Sequence, residues 1–185
     1  MELRKILTEA LDKHTITKIS VFDFDGTLID TPLPDKGKIT HQEKTGKPWP
    51  HKGWWSKPES LDATIFDMPL IQSVINTYKE EKASPNTLIV MMTGRIPRLS
   101  KEVEAILKSK GLTFDKYIYN MGGATVDSKV NSLNKLLSEY PKVTDILLND
   151  DRVEHIPAFE AWGEQQRTSG RITNFKINLV PSGHH

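Results

Sequence analysis

Apolar positions along this chain change period several times, and the changes divide it into elements. Leu3, Ile6, Leu7, Ala10 and Leu11 recur at helical spacing within the charged segment 1–14, which predicts an amphipathic helix. A β-branched and aromatic run over 19–24 predicts a buried strand that closes on Asp23-Phe24-Asp25-Gly26-Thr27. Residues 31–66 then lose any period and fill with Pro, Gly, Lys and Trp, a stretch longer than an ordinary connection in a compact domain. Regular alternation returns with a helix near 67–82, a strand at 87–92 and a helix near 97–110. A short strand at 116–119, a helix near 129–139, a strand at 145–148, a helix near 154–166 and a last strand at 175–180 complete the pattern. The prediction is an α/β fold: a doubly wound, mainly parallel sheet with helices on both faces. Residues 1–30 and 67–185 make its core, and 31–66 are a small inserted cap or lid.

Composition narrows the classes without choosing among them. The chain has 185 residues, 37% of them hydrophobic, enough for one domain plus an insertion. Lys and Arg total 25 against 24 acids, a formal charge of +1, so any polyanion binding must come from a local patch. The absence of cysteine excludes disulfides, thiolate metal sites and cysteine catalysis. No apolar run reaches signal-peptide or membrane-spanning length, and a soluble cytoplasmic protein is the expectation, with no membrane partner.

Four polar clusters fall at predicted strand ends or helix starts: Asp23/Asp25/Thr27, Thr93-Gly94-Arg95, Thr125 with Lys129, and Asp150/Asp151. In open parallel sheets, ligands bind beyond the carboxyl ends of the strands. A carboxylate there, Asp23, suits nucleophilic attack on phosphorus, and Asp25 suits protonation of a leaving oxygen followed by activation of water. Thr93 and the Gly94 amide suit a phosphoryl oxygen at a helix start, and Lys129 supplies a positive charge against the repulsion between carboxylate and phosphate. Asp23, Asp25, Asp150 and Asp151 offer the oxygen-only set that Mg²⁺ prefers. Taken singly, each cluster also reads as a turn or a helix cap; four caps have no reason to converge on one sheet edge.

These residues resemble the signature of the HAD (haloacid dehalogenase-like) superfamily. Val21-Phe22-Asp23-Phe24-Asp25-Gly26-Thr27 is similar to motif I, Met92-Thr93-Gly94-Arg95 to motif II, Lys129 to motif III and Asp150-Asp151-Arg152 to motif IV. Lys135, in the same region, lies further into its helix and is the lesser candidate for motif III. Thr31-Pro32-Leu33-Pro34, Gly53-Trp54-Trp55 and the run from Asn149 to His155 resemble the HAD domain of Swiss Army Knife RNA-repair-like proteins. The Asp-Asp-Arg element is also similar to the phosphatase half of polynucleotide kinase/phosphatases. The resemblance implies a Mg²⁺-dependent phosphomonoester hydrolase working through an aspartyl-phosphate. Asp23 would then be nucleophile and metal ligand, Asp25 the acid/base and carbonyl ligand, Thr93 and Lys129 the phosphate binders, and Asp150 or Asp151 the rest of the metal shell. A phosphotransferase, or a non-catalytic nucleotide or nucleic-acid binding module, is the alternative on the same scaffold.

Residues 35–58 contain six lysines, two acids, two histidines and three of the four tryptophans. That mixture suits a phosphorylated small molecule or a nucleic-acid end, with 36–57 as the nucleic-acid contact. Trp49, Trp54 and Trp55 fit a small core for the insertion equally well. Arg95, Arg152 and His155 are further substrate-contact candidates, each as able to pair with a neighbouring carboxylate. Oligomeric state is left open.

Overall fold

The computed structural model describes residues 13–181. Nearly all of the helix expected over 1–14 lies outside them; Lys13 and His14 are helical.

Two strands begin the sheet, β1 (Lys18–Phe22) and β2 (Thr87–Met92). Three shorter or later ones follow, β3 (Lys116–Ile118), β4 (Asp145–Asp150) and β5 (Asn174–Leu179). All pairings are parallel and the order is β3-β2-β1-β4-β5. The chain therefore winds outward from β1 on one side and returns to start again on the other. The carboxyl ends of β1 and β4 flank the point where the winding reverses, the crevice in which such sheets bind ligands.

Four helices cover the sheet: α2 (Gln72–Ala83), α3 (Ser100–Ser109), α4 (Thr125–Glu139) and α5 (Ile156–Thr168). Side chains alternate across a strand, so neighbours in β1 and β2 enter different cores. Phe22, Ile89 and Met91 pack with Val74, Ile75 and Tyr78 of α2 and Val103, Ile106 and Leu107 of α3. Val21, Val90 and Met92 pack with Leu133, Leu136 and Leu137 of α4 and Phe159 and Trp162 of α5. Burial on both faces is why these strands read as unbroken apolar runs.

Several bounds differ from expectation for local reasons. The helix expected from 67 begins at Gln72: Pro69 disfavours helix in the residue before it, and Leu70 instead forms a bridge with Ile29. The helix expected from 129 starts at Thr125, with Ala124 as its N-cap and no side-chain cap bond to mark the entry. The strand at 145–148 continues through Asn149 and Asp150, which pair with Asn178 and Leu179 of β5. Pro97–Leu99 and Val153–His155 are 3₁₀ turns leading into α3 and α5.

Within 31–66 lie helix α1 (Pro34–Thr45) and a 3₁₀ turn at Pro58–Leu61. Helix α1 buries only Gly37 and His41. Gly37 lies directly against the Trp54 indole, where a methyl group would overlap the ring. Trp54, Leu61 and Phe66 share one hydrophobic cluster with Phe22, Phe24, Leu28 and Ile29, so the segment is seated on the sheet's own core. Among the described residues no helix is long and apolar enough to cross a membrane.

Candidate active site

Asp23 is the first residue beyond β1, and its N–H donates to the carbonyl of Asn149 in β4 at 3.0 Å. That bond holds the end of β1 beside Asp150 and Asp151. One carboxylate oxygen from each of Asp23, Asp150 and Asp151 lies within 4.8 Å of the others, and all three residues are buried. Thr27 Oγ1 stands 3.5 Å from Asp23 Oδ2 and 3.4 Å from Asp151 Oδ1. Gly26, at φ 71°, makes the turn that returns Thr27 toward the strand end, a conformation glycine adopts without strain.

Lys129 reaches this cluster from the second turn of α4. Its Nζ is 3.0 Å from Asp23 Oδ1 and 2.6 Å from Asp150 Oδ2. Burial pushes the Asp23 carboxyl well above the usual carboxylate range; Lys129 opposes the shift, and Asp150, Asp151 and Asp25 add to it. For Asp150, burial works in the same direction, but the Lys129 ammonium, His155 and the Arg152 amide prevail and hold it well below that range. Lys129 is likewise disfavoured by burial as a cation, yet Asp23 and Asp150 raise it above an ordinary lysine. The cluster is thus three buried acids against one fixed ammonium. Oxygen-only donors, close together and short of positive charge, fit a hard divalent cation such as Mg²⁺.

Asp25 is held differently. Its two oxygens accept Arg95 Nε at 2.9 Å and Nη2 at 2.7 Å, a bidentate pair, and Thr31 Oγ1 donates to Oδ1 at 2.7 Å. The remaining Arg95 nitrogen, Nη1, donates to the Trp55 carbonyl at 2.8 Å and to Ser60 Oγ at 2.7 Å. Arg95, which the sequence offered as a substrate contact or as the partner of a carboxylate, lines the cavity beside Asp25; every nitrogen of its buried guanidinium is engaged by protein acceptors, and it joins the Asp25 turn to the 31–66 segment.

A cavity of about 390 Å³ opens over this arrangement, lined in part by Asp23, Asp25, Gly94, Thr125, Lys129 and Trp55. Arg152, Glu154 and His155 also line it; Arg152 pairs with Glu154 and its side chain is half exposed. Thr93 is buried, and its hydroxyl accepts the Arg95 amide at 3.1 Å. The Gly94 Cα faces the Thr125 side chain with no room for a Cβ, so the motif II and α4 entries are in direct contact. Lys135 is exposed on α4, whereas Lys129 is buried. A larger cavity of about 680 Å³, bordered by Lys18, Asp145 and Asn174 at the amino ends of the strands, is outside the carboxylate cluster.

Residues 32–185 match the model of HAD domain family 1 in Swiss Army Knife RNA repair proteins. The chain belongs to that family. Thr93-Gly94-Arg95, Lys129 and Asp150-Asp151-Arg152 lie within the matched stretch, whereas Asp23 and Asp25 precede it. An uncharacterized protein of Saccharomyces cerevisiae, YMR265C, is 25% identical over a 173-residue alignment that covers 81% of this chain and 38% of the yeast protein. Among solved structures, a chain of a Pnkp1/Rnl/Hen1 complex superposes with a TM-score of 0.54 at 15% identity, covering 92% of this chain and 47% of that one. The HAD domain of the effector protein Lem4 from Legionella pneumophila, solved as an inactive mutant, gives a TM-score of 0.50 at 17% identity, covering 92% and 88%. At these identities the likeness is one of fold. This chain spans less than half the length of the yeast relative and of the Pnkp1/Rnl/Hen1 chain.

Sequence reasoning named the acids and Lys129 but missed the partners of Asp25. Thr31 was quoted only for its motif, and Ser60 carried no signal. The Arg95–Asp25 pair joins residues 70 positions apart, and nothing in the local pattern of either residue announces the other.

Proposed function

We propose that this HAD-family chain is a Mg²⁺-dependent phosphomonoesterase that uses Asp23 as nucleophile and acts on phosphate ends of nucleotides or nucleic acids. One observation carries the reading: Asp23, Asp150, Asp151 and the Lys129 ammonium converge beneath a cavity at the carboxyl ends of β1 and β4. The family's description as a domain of RNA repair proteins supports the nucleic-acid end.

Asp23 attacks phosphorus as the carboxylate, the form that Lys129 favours against burial; the bond to the leaving oxygen breaks, and that oxygen takes a proton from the Asp25 carboxyl. In the second half Asp25, now a carboxylate, takes a proton from water. The resulting hydroxide attacks phosphorus, and the bond to Asp23 breaks. The carboxylate is the form that accepts two donors from Arg95, so the arrangement seen, with Arg95 and Thr31 orienting it, is that of the base of this second step; to act as acid in the first step, Asp25 must gain a proton and release one of these donors. Lys129 offsets the negative charge that gathers between Asp23 and the phosphoryl oxygens. Asp23, Asp150 and Asp151, with the Asp25 carbonyl, would hold Mg²⁺, which when bound supplies further positive charge to those oxygens. In the same reading, 31–66 is the cap of the site, a role supported by Trp55 and Leu33 in the cavity wall and by the Arg95 tie.

The test is phosphate release from p-nitrophenyl phosphate and from oligonucleotides with 3′- or 5′-phosphate ends, in Mg²⁺ and in chelator, beside Asp23→Asn. The reading expects turnover in Mg²⁺ alone, loss of at least about a hundredfold in the variant, and preference for an oligonucleotide end. Folded, Mg²⁺-loaded protein that leaves every substrate intact would overturn it.

A further inference from the structure

The three tryptophans of 31–66 have separate fates. Trp54 is 4% exposed, enclosed by Gly37, Trp49 and Phe66. Trp49 packs partly buried at the edge of that cluster, with its Nε1 donating to the Gly53 carbonyl at 2.9 Å. Trp55 is 39% exposed, the one large aromatic side chain so exposed among the described residues, and it lines the cavity that also contains Asp23 and Lys129. The Arg95 guanidinium lies over its ring, 5.0 Å from the centroid, and that same guanidinium holds Asp25. One guanidinium therefore contacts both the indole and the Asp25 carboxylate.

Resting on the phosphomonoesterase reading, we infer that Trp55 determines specificity by stacking on a planar ring carried by the leaving alcohol, and that this ring is the base of a terminal nucleotide. The exposed part of the indole is apolar surface in a cavity lined mostly by charged and polar groups, and a planar ring can cover it by stacking. A face-on cation already fixes the orientation of the ring, so stacking requires little further ordering. The cavity volume of about 390 Å³ falls in the range of small-molecule sites, enough for one nucleotide rather than a duplex. Lys52 and Lys57 flank Trp55 in sequence, the first exposed and the second half-buried. They supply positive charge for further phosphates, which favours a single-stranded end over an isolated aromatic phosphate.

The experiment compares steady-state kinetics on a nucleoside monophosphate and on glycerol 2-phosphate, which has no ring, for the parent, Trp55→Ala and Trp55→Phe. Stacking of a base is lost in Trp55→Ala, so the ratio of the nucleotide KM to the glycerol phosphate KM rises about tenfold; Trp55→Phe keeps most of it. In parallel, nucleoside monophosphate binding is titrated on Asp23→Asn with and without Trp55→Ala, and Kd rises by a similar factor. A KM ratio and a Kd that both ignore Trp55→Ala overturn the inference while leaving the phosphatase reading intact. Absence of turnover in the parent overturns that reading, and the Kd comparison then decides the role of Trp55 alone.

Discussion

Replacing Lys129 by Met removes the single ammonium from a buried group of three carboxylates while keeping most of the stem's volume. In the native site its Nζ is 3.0 Å from Asp23 and 2.6 Å from Asp150. At an effective dielectric of about 20, a pair of unit charges at such distances attracts by about 5–6 kcal/mol before desolvation is subtracted; this applies to the Asp150 carboxylate and is an upper bound for Asp23, which burial pushes toward its neutral form. Removing the cation also ends its own burial cost, so the net loss is smaller. Deleting one partner of a buried ion pair typically costs about 3–5 kcal/mol, because the other charge stays buried without compensation. Here two carboxylates lose the same partner, and Asp151 remains beside them. With a urea dependence of about 2–3 kcal/mol per molar, the upper part of the range for small proteins, the unfolding midpoint of Lys129→Met should fall by about 1–2.5 M. The assay is urea unfolding at pH 7 in chelator, followed by far-UV circular dichroism. A midpoint equal to the parent's, with an unchanged slope, would refute the claim that Lys129 holds this cluster together.

Other outcomes follow from the same structure. Mg²⁺ should raise the Tm of the parent, with a gain of about 2.7 kcal/mol at a hundred times its Kd; Asp150→Asn should lose that gain in a calorimetric scan, and a retained gain would move the metal elsewhere. Alanine for glycine inside a helix usually stabilises by about 1 kcal/mol, but Gly163→Ala in α5 drives a methyl into the Phe175 ring. Its urea midpoint should fall, by about 1–3 kcal/mol in stability, and a rise would refute the packing argument. Arg95→Lys cannot reproduce the bidentate pair with Asp25 together with the bonds to Trp55 and Ser60. It should lose at least about 2 kcal/mol of stability and slow phosphate release, so unchanged denaturation curves would count against Arg95 as a tie.

The sheet was legible because burial on both faces makes its strands apolar throughout. Thr87–Met92 was bounded correctly on that signal alone. The signal fails where the site begins: Asn149 and Asp150 belong to β4 but are polar, buried and bonded within the protein, with Asn149 Nδ2 donating to the Val21 carbonyl at 3.0 Å. Helix α1 was unreadable for the opposite reason. Its contact with the core is made by Gly37 against an indole, which leaves no apolar stripe to detect. The acids and Lys129 were found because strand ends concentrate ligand chemistry. The division of labour among the tryptophans, and the partners of Asp25, depend on contacts between distant segments that no local period records.

The position of β1 in the middle of the sheet bears on how the protein is made. Its carbonyl at Val21 meets Asn149, 128 positions later in the chain, and its other neighbour is β2, past the whole 31–66 segment. During synthesis β1, which Asp23 follows directly, leaves the ribosome long before either flanking strand exists, and long-range parallel pairing is slow to form. A nascent chain arrested before Asp145 would leave the apolar β1 as an open edge, without β4 and without Asp150 and Asp151.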